Sequence, residues 1–443
     1  DVYKRQDLEC GNVYRSLTEA VEAGMITEDQ IDISLKKLLK IQFRLGMFDP
    51  QDKVPYSKIG AEVLESKPHQ QQALKMARQS MVLLKNEKQL LPLSSKIKKI
   101  ALLGPNANNG TTQLGNYNGI PSKNATLLDA LRAEKGIEVV YDSISDFITL
   151  QPGIDLQHYA EKYKDVDLII YAGGISALLE GEEGDTGNVE GFYRGDRTTI
   201  NLPAVQTQVM QMLQKSGKPM IFICMSGSAI AFNWESQHIP AIIQAWYGGQ
   251  AAGTALADIL FGRYNPSGKL PITFYRSDSD LPAIEDYSMK NRTYRYFNGD
   301  VLYPFGYGLS FTKFKFKKLN VPQEVQIGDT INISTEVVNT GKSAGEEVIQ
   351  LYLSHKDIAP EAPNSQLVGF QKVMLQPGER KIVHFKLSPR NLAYVDETGG
   401  VNTMPGKIKV YIGNVCPNAP ERFTSGVLST TMELKGKPLY FMY

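Results

Sequence analysis

VDLIIYAGGISALLEGEEGDTGNVEGFYRGDR, residues 166–197, is the stretch on which the reading of this chain turns. Residues 166–172 form a short apolar run, of the length expected for a strand buried on both faces. A glycine-rich loop follows, carrying Glu180, Glu182, Glu183, Asp185, Glu190 and Asp196. In an open α/β sheet, ligands sit outside the carboxyl ends of the strands, so an acidic loop there is placed for chemistry. Carboxylates at such a place can donate a proton to a leaving oxygen. A solvated acidic turn accounts for the same letters, and these residues alone leave both readings open.

Outward from that stretch, helix and strand patterns alternate. Residues 69–81 have helical spacing and lead into the apolar run 82–84 (VLL). Further strands are expected at 98–104 (KKIALLG), 220–225 (MIFICM) and 241–246 (AIIQAW), with helices at 127–133, 204–215 and 253–260. Such alternation predicts a mostly parallel sheet covered on both faces, an open α/β sandwich over 68–310. Beyond Phe311 the period becomes two: Ile331, Ile333, Thr335, Val337, then Ile349, Leu351, Leu353, then Val383, Phe385, Leu387, then Ile408, Val410, Ile412. With turns at 339–341 and 377–379, residues 311–443 read as a small antiparallel sandwich of fibronectin type, a structural appendage. The Tyr- and Gly-rich residues 294–311 are expected to pack as an extended segment between the two.

Upstream, Thr27 and Gln30 make a capping box ahead of Ile31, Leu35, Leu38, Leu39 and Leu45, and Gly46 suits the helix end. One amphipathic helix cannot form a core, so residues 1–50 are expected to be the remnant of a larger domain, with 51–67 a polar linker. Residues 1–6 (DVYKRQ) read as a tail foreign to the fold, and the chain as a fragment.

Composition excludes several classes. A length of 443 residues calls for two or three domains. A formal net charge of +1 gives no basic surface for nucleic acid or an anionic membrane. No apolar run reaches the roughly 20 residues that span a bilayer. Cys10, Cys224 and Cys416 lie far apart, and none of the five histidines is spaced for a metal site, so neither metal nor cofactor is expected. The cluster Gly248-Gly249-Gln250-Ala251-Ala252-Gly253-Thr254 lacks the lysine of a phosphate loop, and Ser226-Gly227-Ser228 lacks the frame of a nucleophile elbow. After strands, Asn116, Tyr117 and Asn118, and likewise Trp246 and Tyr247, pair amides with aromatics. These suit sugar hydroxyls and sugar C–H faces, and buried tyrosines with turn asparagines suit the same letters.

Over nearly its whole length, from Asp7, the chain resembles glycoside hydrolase family 3. The matching blocks include DLECGN (7–12), KLLKIQFRLGMFD (37–49), ARQSMVLLKNEKQLLPL (77–93), LLGPNA (102–107) and GNYNGIP (115–121). They continue with RTTINLPAVQ (197–206), AWYGGQAAGTALADILFGRYNPSGKLPITFY (245–275), LYPFGYGLSFT (302–312), NTGKSAGEEVIQLYL (339–353) and LVGFQKVMLQPGE (367–379). The resemblance implies a (β/α)8-type first domain, then the α/β sandwich, then the fibronectin-like module. It also implies a retaining exo-acting β-glycosidase, in which an aspartate of the first domain attacks the sugar and a glutamate of the sandwich acts as acid and then base. Retention requires the two carboxyls to stand about 5–5.5 Å apart.

In this sequence the acid/base falls on Glu182, favoured, or on Glu180. The other is expected to bond a sugar hydroxyl or the pair Asp196 and Arg197, which would anchor the loop. The family's nucleophile lies upstream of the block matching 7–12, so Asp7 and Asp49 are not promoted, and the isolated chain is expected to be inactive. The blocks favour the β-xylosidase and α-L-arabinofuranosidase branch over β-glucosidase. A non-catalytic carbohydrate-binding or scaffold module is the alternative from another class. Expected partners are an oligosaccharide or an aryl or alkyl glycoside, with room for a homodimer, no nucleic acid and no membrane. A periplasmic or extracellular location is expected, with the cytoplasm as the alternative.

Overall fold

The computed structural model describes residues 7–9, 11–181 and 188–442 and divides into two units, Asp1–His69 and Gln70–Tyr443. The first unit holds a short helix α1 (Leu17–Glu22) and the longer α2 (Glu28–Arg44). Its capping box forms as read: the Gln30 N–H donates to Thr27 Oγ1 (3.3 Å) and the Thr27 N–H to Gln30 Oε1 (3.0 Å). Gly46, at φ +71, closes the helix in a conformation that favours glycine. Ile33, Leu35, Ile41 and Phe43 of α2 are exposed. Residues 51–63 run through three short 3-10 turns.

In the second unit, α3 (Lys67–Ser80) leads into β1 (Val82–Asn86), β2 (Lys99–Leu103), α4 (Leu127–Arg132), β3 (Glu138–Asp142), α5 (Leu156–Lys162) and β4 (Leu168–Gly174). A two-stranded hairpin, β5 (Phe192–Tyr193) and β6 (Asp196–Arg197), precedes α6 (Ala204–Gln214), β7 (Met220–Met225), α7 (Asn233–His238), β8 (Ala241–Gln244) and α8 (Ala252–Leu260). The sheet order is β1-β8-β7-β4-β2-β3. Five strands are parallel neighbours, and β1 joins β8 antiparallel at the edge. The apolar runs follow from burial on both faces. Ile169, Tyr171, Phe222, Cys224 and Ile242 enter one core, whereas Leu168, Ile170, Ala172, Ile221, Ile223 and Ile243 enter the other. The sequence reading omitted β3, α5 and α7. The edge strand β3 (EVVYD) is only half-buried and flanked by acids, and α7 (NWESQH) is too short and polar to show a period.

A one-turn helix α9 (Thr293–Tyr296) precedes the second sandwich. One of its sheets runs β10 (Glu324–Gln326), β18 (Leu428–Lys435), β17 (Gly406–Gly413), β12 (Gly345–Ser354), β13 (Gln366–Leu375), in that spatial order. The other runs β14 (Arg380–Leu387), β11 (Ile331–Asn339), β9 (Phe314–Asn320), and a small third sheet runs β15 (Tyr394–Val395), β16 (Val401–Thr403), β19 (Leu439–Phe441). The alternating residues named above, Ile333, Val337, Leu351, Phe385 and Val410 among them, form its core. One departure from an antiparallel sandwich is the parallel pair β10–β18. Asn339, fully buried, ties the turn that follows it: its Nδ2 donates to Ser343 O and Leu375 O, and its Oδ1 accepts from Thr312 and the Gly341 N–H.

The two sandwiches meet across polar contacts. Lys269 Nζ pairs with Glu347 at 2.7 Å and donates to Gly308 O, and Asn414 donates to the same carboxylate. Gln350 Nε2 donates to Gly306 O, while the Tyr294 ring stacks on Phe305 and meets Tyr352 edge-on. The Tyr- and Gly-rich segment 294–311 lies in this seam.

Candidate active site

Parallel strands end at one edge, so the connections after β2, β4, β7 and β8 converge there. Glu180, on the connection after β4, is where they meet. Its Oε1 accepts from the Tyr247 hydroxyl (2.6 Å) and the Gly227 N–H (2.9 Å), and its Oε2 accepts from Ser228 Oγ (2.7 Å). Asn116 Nδ2, from the connection after β2, stands 3.5 Å from the Glu180 carbonyl oxygen. A Cβ on Gly227 would lie 2.8 Å from Oε1 and 3.0 Å from the Tyr247 ring, so the carboxylate needs glycine there.

The acidic connection leaves β4 at a built corner. Gly174 has φ +109, and a Cβ on it would stand 2.0 Å from Met225 O. Gln206 accepts from the Gly174 N–H (2.9 Å) and donates to Gly174 O (2.7 Å), while Asn106 donates to Gly173 O (2.9 Å). Those two amides come from the blocks RTTINLPAVQ and LLGPNA, which gives both blocks a physical role. On the far side of the loop, Arg197 Nη1 donates to Ser228 Oγ (2.9 Å) and Ala229 O (2.8 Å). Ser226 Oγ donates to Ser228 O and accepts from Gln244 of β8, which stiffens the turn.

Electrostatics follow burial. Burial pushes the Tyr247 hydroxyl well above the usual tyrosine range, and the adjacent Glu180 adds to it. Tyr247 is therefore a donor throughout the working range. Burial also lowers Arg197 from the ordinary guanidinium value, against the pull of Glu180. The Cys224 thiol, fully buried beneath the site, is pushed up to about 12 by burial, so it is no nucleophile.

Several expected site residues stand otherwise than the sequence led one to expect. Arg197 donates to a serine hydroxyl and a carbonyl of the turn after β7. Asp196 is exposed in the β5–β6 hairpin, because the backbone pairing of Tyr193 with Asp196 turns its carboxylate to solvent. Trp246 sits at φ +57, its indole N–H donating to Ser80 O and its ring against Phe274, so it closes the core. That strained turn is what brings Tyr247 to Glu180. Tyr117 is 86% exposed, and Asn118 donates to its own neighbour, Gly119 O. Glu182, with Glu183 and Asp185, lies outside the described residues, as does Cys10. Sequence reasoning missed Gly227 and Ser228 as partners of the acidic loop. Their signal was a small polar turn directly after a buried parallel strand. Among the described residues no group of three His, Cys, Asp or Glu is gathered to hold a metal ion, and no helix is long and apolar enough to cross a membrane.

The profile of the glycosyl hydrolase family 3 C-terminal domain matches residues 81–311, more than half of the chain, and that of the fibronectin type III-like domain matches 347–415. The chain belongs to glycosyl hydrolase family 3. A xylan 1,4-beta-xylosidase of Xylanibacter ruminicola is 33% identical over 92% of this chain and 64% of its own length. A periplasmic beta-glucosidase of Salmonella typhimurium is 32% identical over 92% of this chain and 57% of its own. The chain thus spans less than two thirds of either relative. Among solved structures, a GH3 exo-beta-xylosidase in complex with a xylobiose aziridine probe superposes with a TM-score of 0.84 at 26% identity, covering 99% of this chain and 58% of its own.

Proposed function

We propose that the chain supplies the acid/base half of a retaining, exo-acting β-glycosidase that releases β-linked xylose, or arabinose, from the non-reducing end of oligosaccharides. The observation that carries this reading is the Glu180 carboxylate, held by three donors at the carboxyl edge of the sheet. With both its oxygens engaged, Glu180 serves as the positioning carboxylate, and Glu182, two residues on, is assigned proton transfer. In the first step Glu182 protonates the glycosidic oxygen while an aspartate attacks the anomeric carbon and expels the leaving alcohol. In the second, the carboxylate of Glu182 takes a proton from water, whose oxygen displaces the aspartate and restores the anomeric configuration. The nucleophile is assigned outside this chain, in keeping with its span of 64% of the xylosidase relative.

Relatives named as xylosidases support the pentose assignment, and the Salmonella relative named a beta-glucosidase supports glucose as the second reading. Its name also supports a periplasmic setting. The test is a Glu182→Ala variant of the longer protein on aryl β-xyloside and aryl β-glucoside. Loss of turnover restored by azide is expected, since a small anion replaces the missing base. Loss without rescue assigns the acid/base elsewhere. Preference of the parent protein for the glucoside overturns the substrate and keeps the mechanism.

A further inference from the structure

The two stems of the acidic loop share one partner. Glu180 stands at the start of the loop and Arg197 at its end, and both reach Ser228 in the turn after β7. A guanidinium can only donate, so Ser228 Oγ accepts from Arg197 Nη1 at 2.9 Å. The serine proton is thereby directed to Glu180 Oε2 at 2.7 Å. A second bond from Nη1 to Ala229 O fixes the guanidinium, whose Nη2 is buried without a hydrogen-bond partner among the described residues. The two opposite charges make no direct ion pair in the structure; a single hydroxyl joins them. Tyr247 and the Gly227 N–H hold the other carboxylate oxygen from an independent direction, so among the described residues only Ser228 touches both stems.

We propose that Ser228 is a positioning residue: its hydroxyl couples Arg197 to Glu180 and so fixes the frame from which the acidic loop delivers its proton. Its catalytic consequence rests on the proposed glycosidase reading, whereas the coupling itself does not.

The coupling is tested on this chain by denaturation, in a double-mutant cycle of Glu180→Gln and Arg197→Lys, run with Ser228 and again with Ser228→Ala. With the serine, the two changes should couple by about tenfold in the folding equilibrium constant, as expected for a charge-assisted bridge. Without it, the coupling should fall to about twofold or less. Equal coupling in both backgrounds overturns the proposal. Should Arg197→Lys fail to fold, Ser228→Thr replaces that arm: threonine keeps the hydroxyl and should retain the stability that Ser228→Ala loses, and equal losses overturn the bridge.

The catalytic consequence is read in the longer protein with aryl xylosides of graded leaving ability. For poor leaving groups, which need the proton, Ser228→Ala should lower kcat by about tenfold to hundredfold, the scale of a misplaced catalytic group. For dinitrophenyl xyloside the loss should stay within about threefold, and Ser228→Thr should recover most of it. A uniform loss across leaving groups means a structural role only and sinks the proposal. If the parent protein cleaves no aryl glycoside, the glycosidase reading fails, and the cycle on this chain still decides the coupling.

Discussion

Mild acid should loosen the fibronectin-like sandwich by a calculable amount through one imidazole. His355 follows β12, is 2% exposed, and lies with Nε2 2.9 Å from Leu392 O and its ring 5.3 Å from that of Tyr394. A carbonyl only accepts, so Nε2 carries the proton of the neutral ring. Burial drives this histidine from the ordinary 6.5 down to about 4. Between those values the unfolded chain binds a proton that the folded chain refuses, so stability falls as pH is lowered through 6.5 and levels off below about 4. At about 1.36 kcal/mol per unit the full loss is about 3 kcal/mol, of which about 2 kcal/mol is felt by pH 5. Urea unfolding followed by far-UV circular dichroism at pH 7.5 and pH 5 measures it. His355→Gln, which does not titrate, serves as the reference that cancels the carboxylates. The native chain should lose about 2 kcal/mol more than the variant over that interval. Equal losses, or an imidazole C–H resonance of His355 that titrates near 6.5, would refute the reasoning.

Two further substitutions probe other links. Gly227→Ala places a methyl 2.8 Å from Glu180 Oε1; displacing that carboxylate from its donors should destabilise the chain by roughly 1–3 kcal/mol, seen as a lowered denaturation midpoint. An unchanged midpoint would show the turn to be pliant. Lys269→Met leaves the Glu347 carboxylate buried at the seam, where it is 3% exposed, without its 2.7 Å cation. A loss of about 3–5 kcal/mol is expected, largely recovered by adding Glu347→Leu. If the double variant is no better than the single, the carboxylate is satisfied by Asn414 and the Val348 N–H without the lysine.

Where the sequence was legible, one physical pattern dominated each segment. The strands 220–225 and 241–246 could be read because burial on both faces leaves apolar letters throughout except Gln244, and the alternation from Ile331 onward because one face of each strand is wet. The Thr27 box could be read because both partners are local. Glu180 could be found by its place after a strand. Its partners could not, since Gly227, Ser228 and Tyr247 lie on two other connections and reach it only once the sheet is assembled. Asp196 and Trp246 mislead for a related reason: a charged or aromatic letter near a site does not say which way a strained turn or hairpin will face it.

The edge strand β1 has a consequence for how the chain is made. Val82 pairs with Gln244, and Leu83 and Leu84 also take hydrogen bonds from Leu309 and Tyr307. Synthesis runs from the N-terminus, so a fully buried Val-Leu-Leu segment emerges long before any of its partners. Until residue 241 has left the ribosome, β1 is an unpaired apolar edge of the kind that seeks other chains. The nascent protein must therefore be shielded through the whole interval, and any truncation that removes β8 turns a structural seam into a site of aggregation.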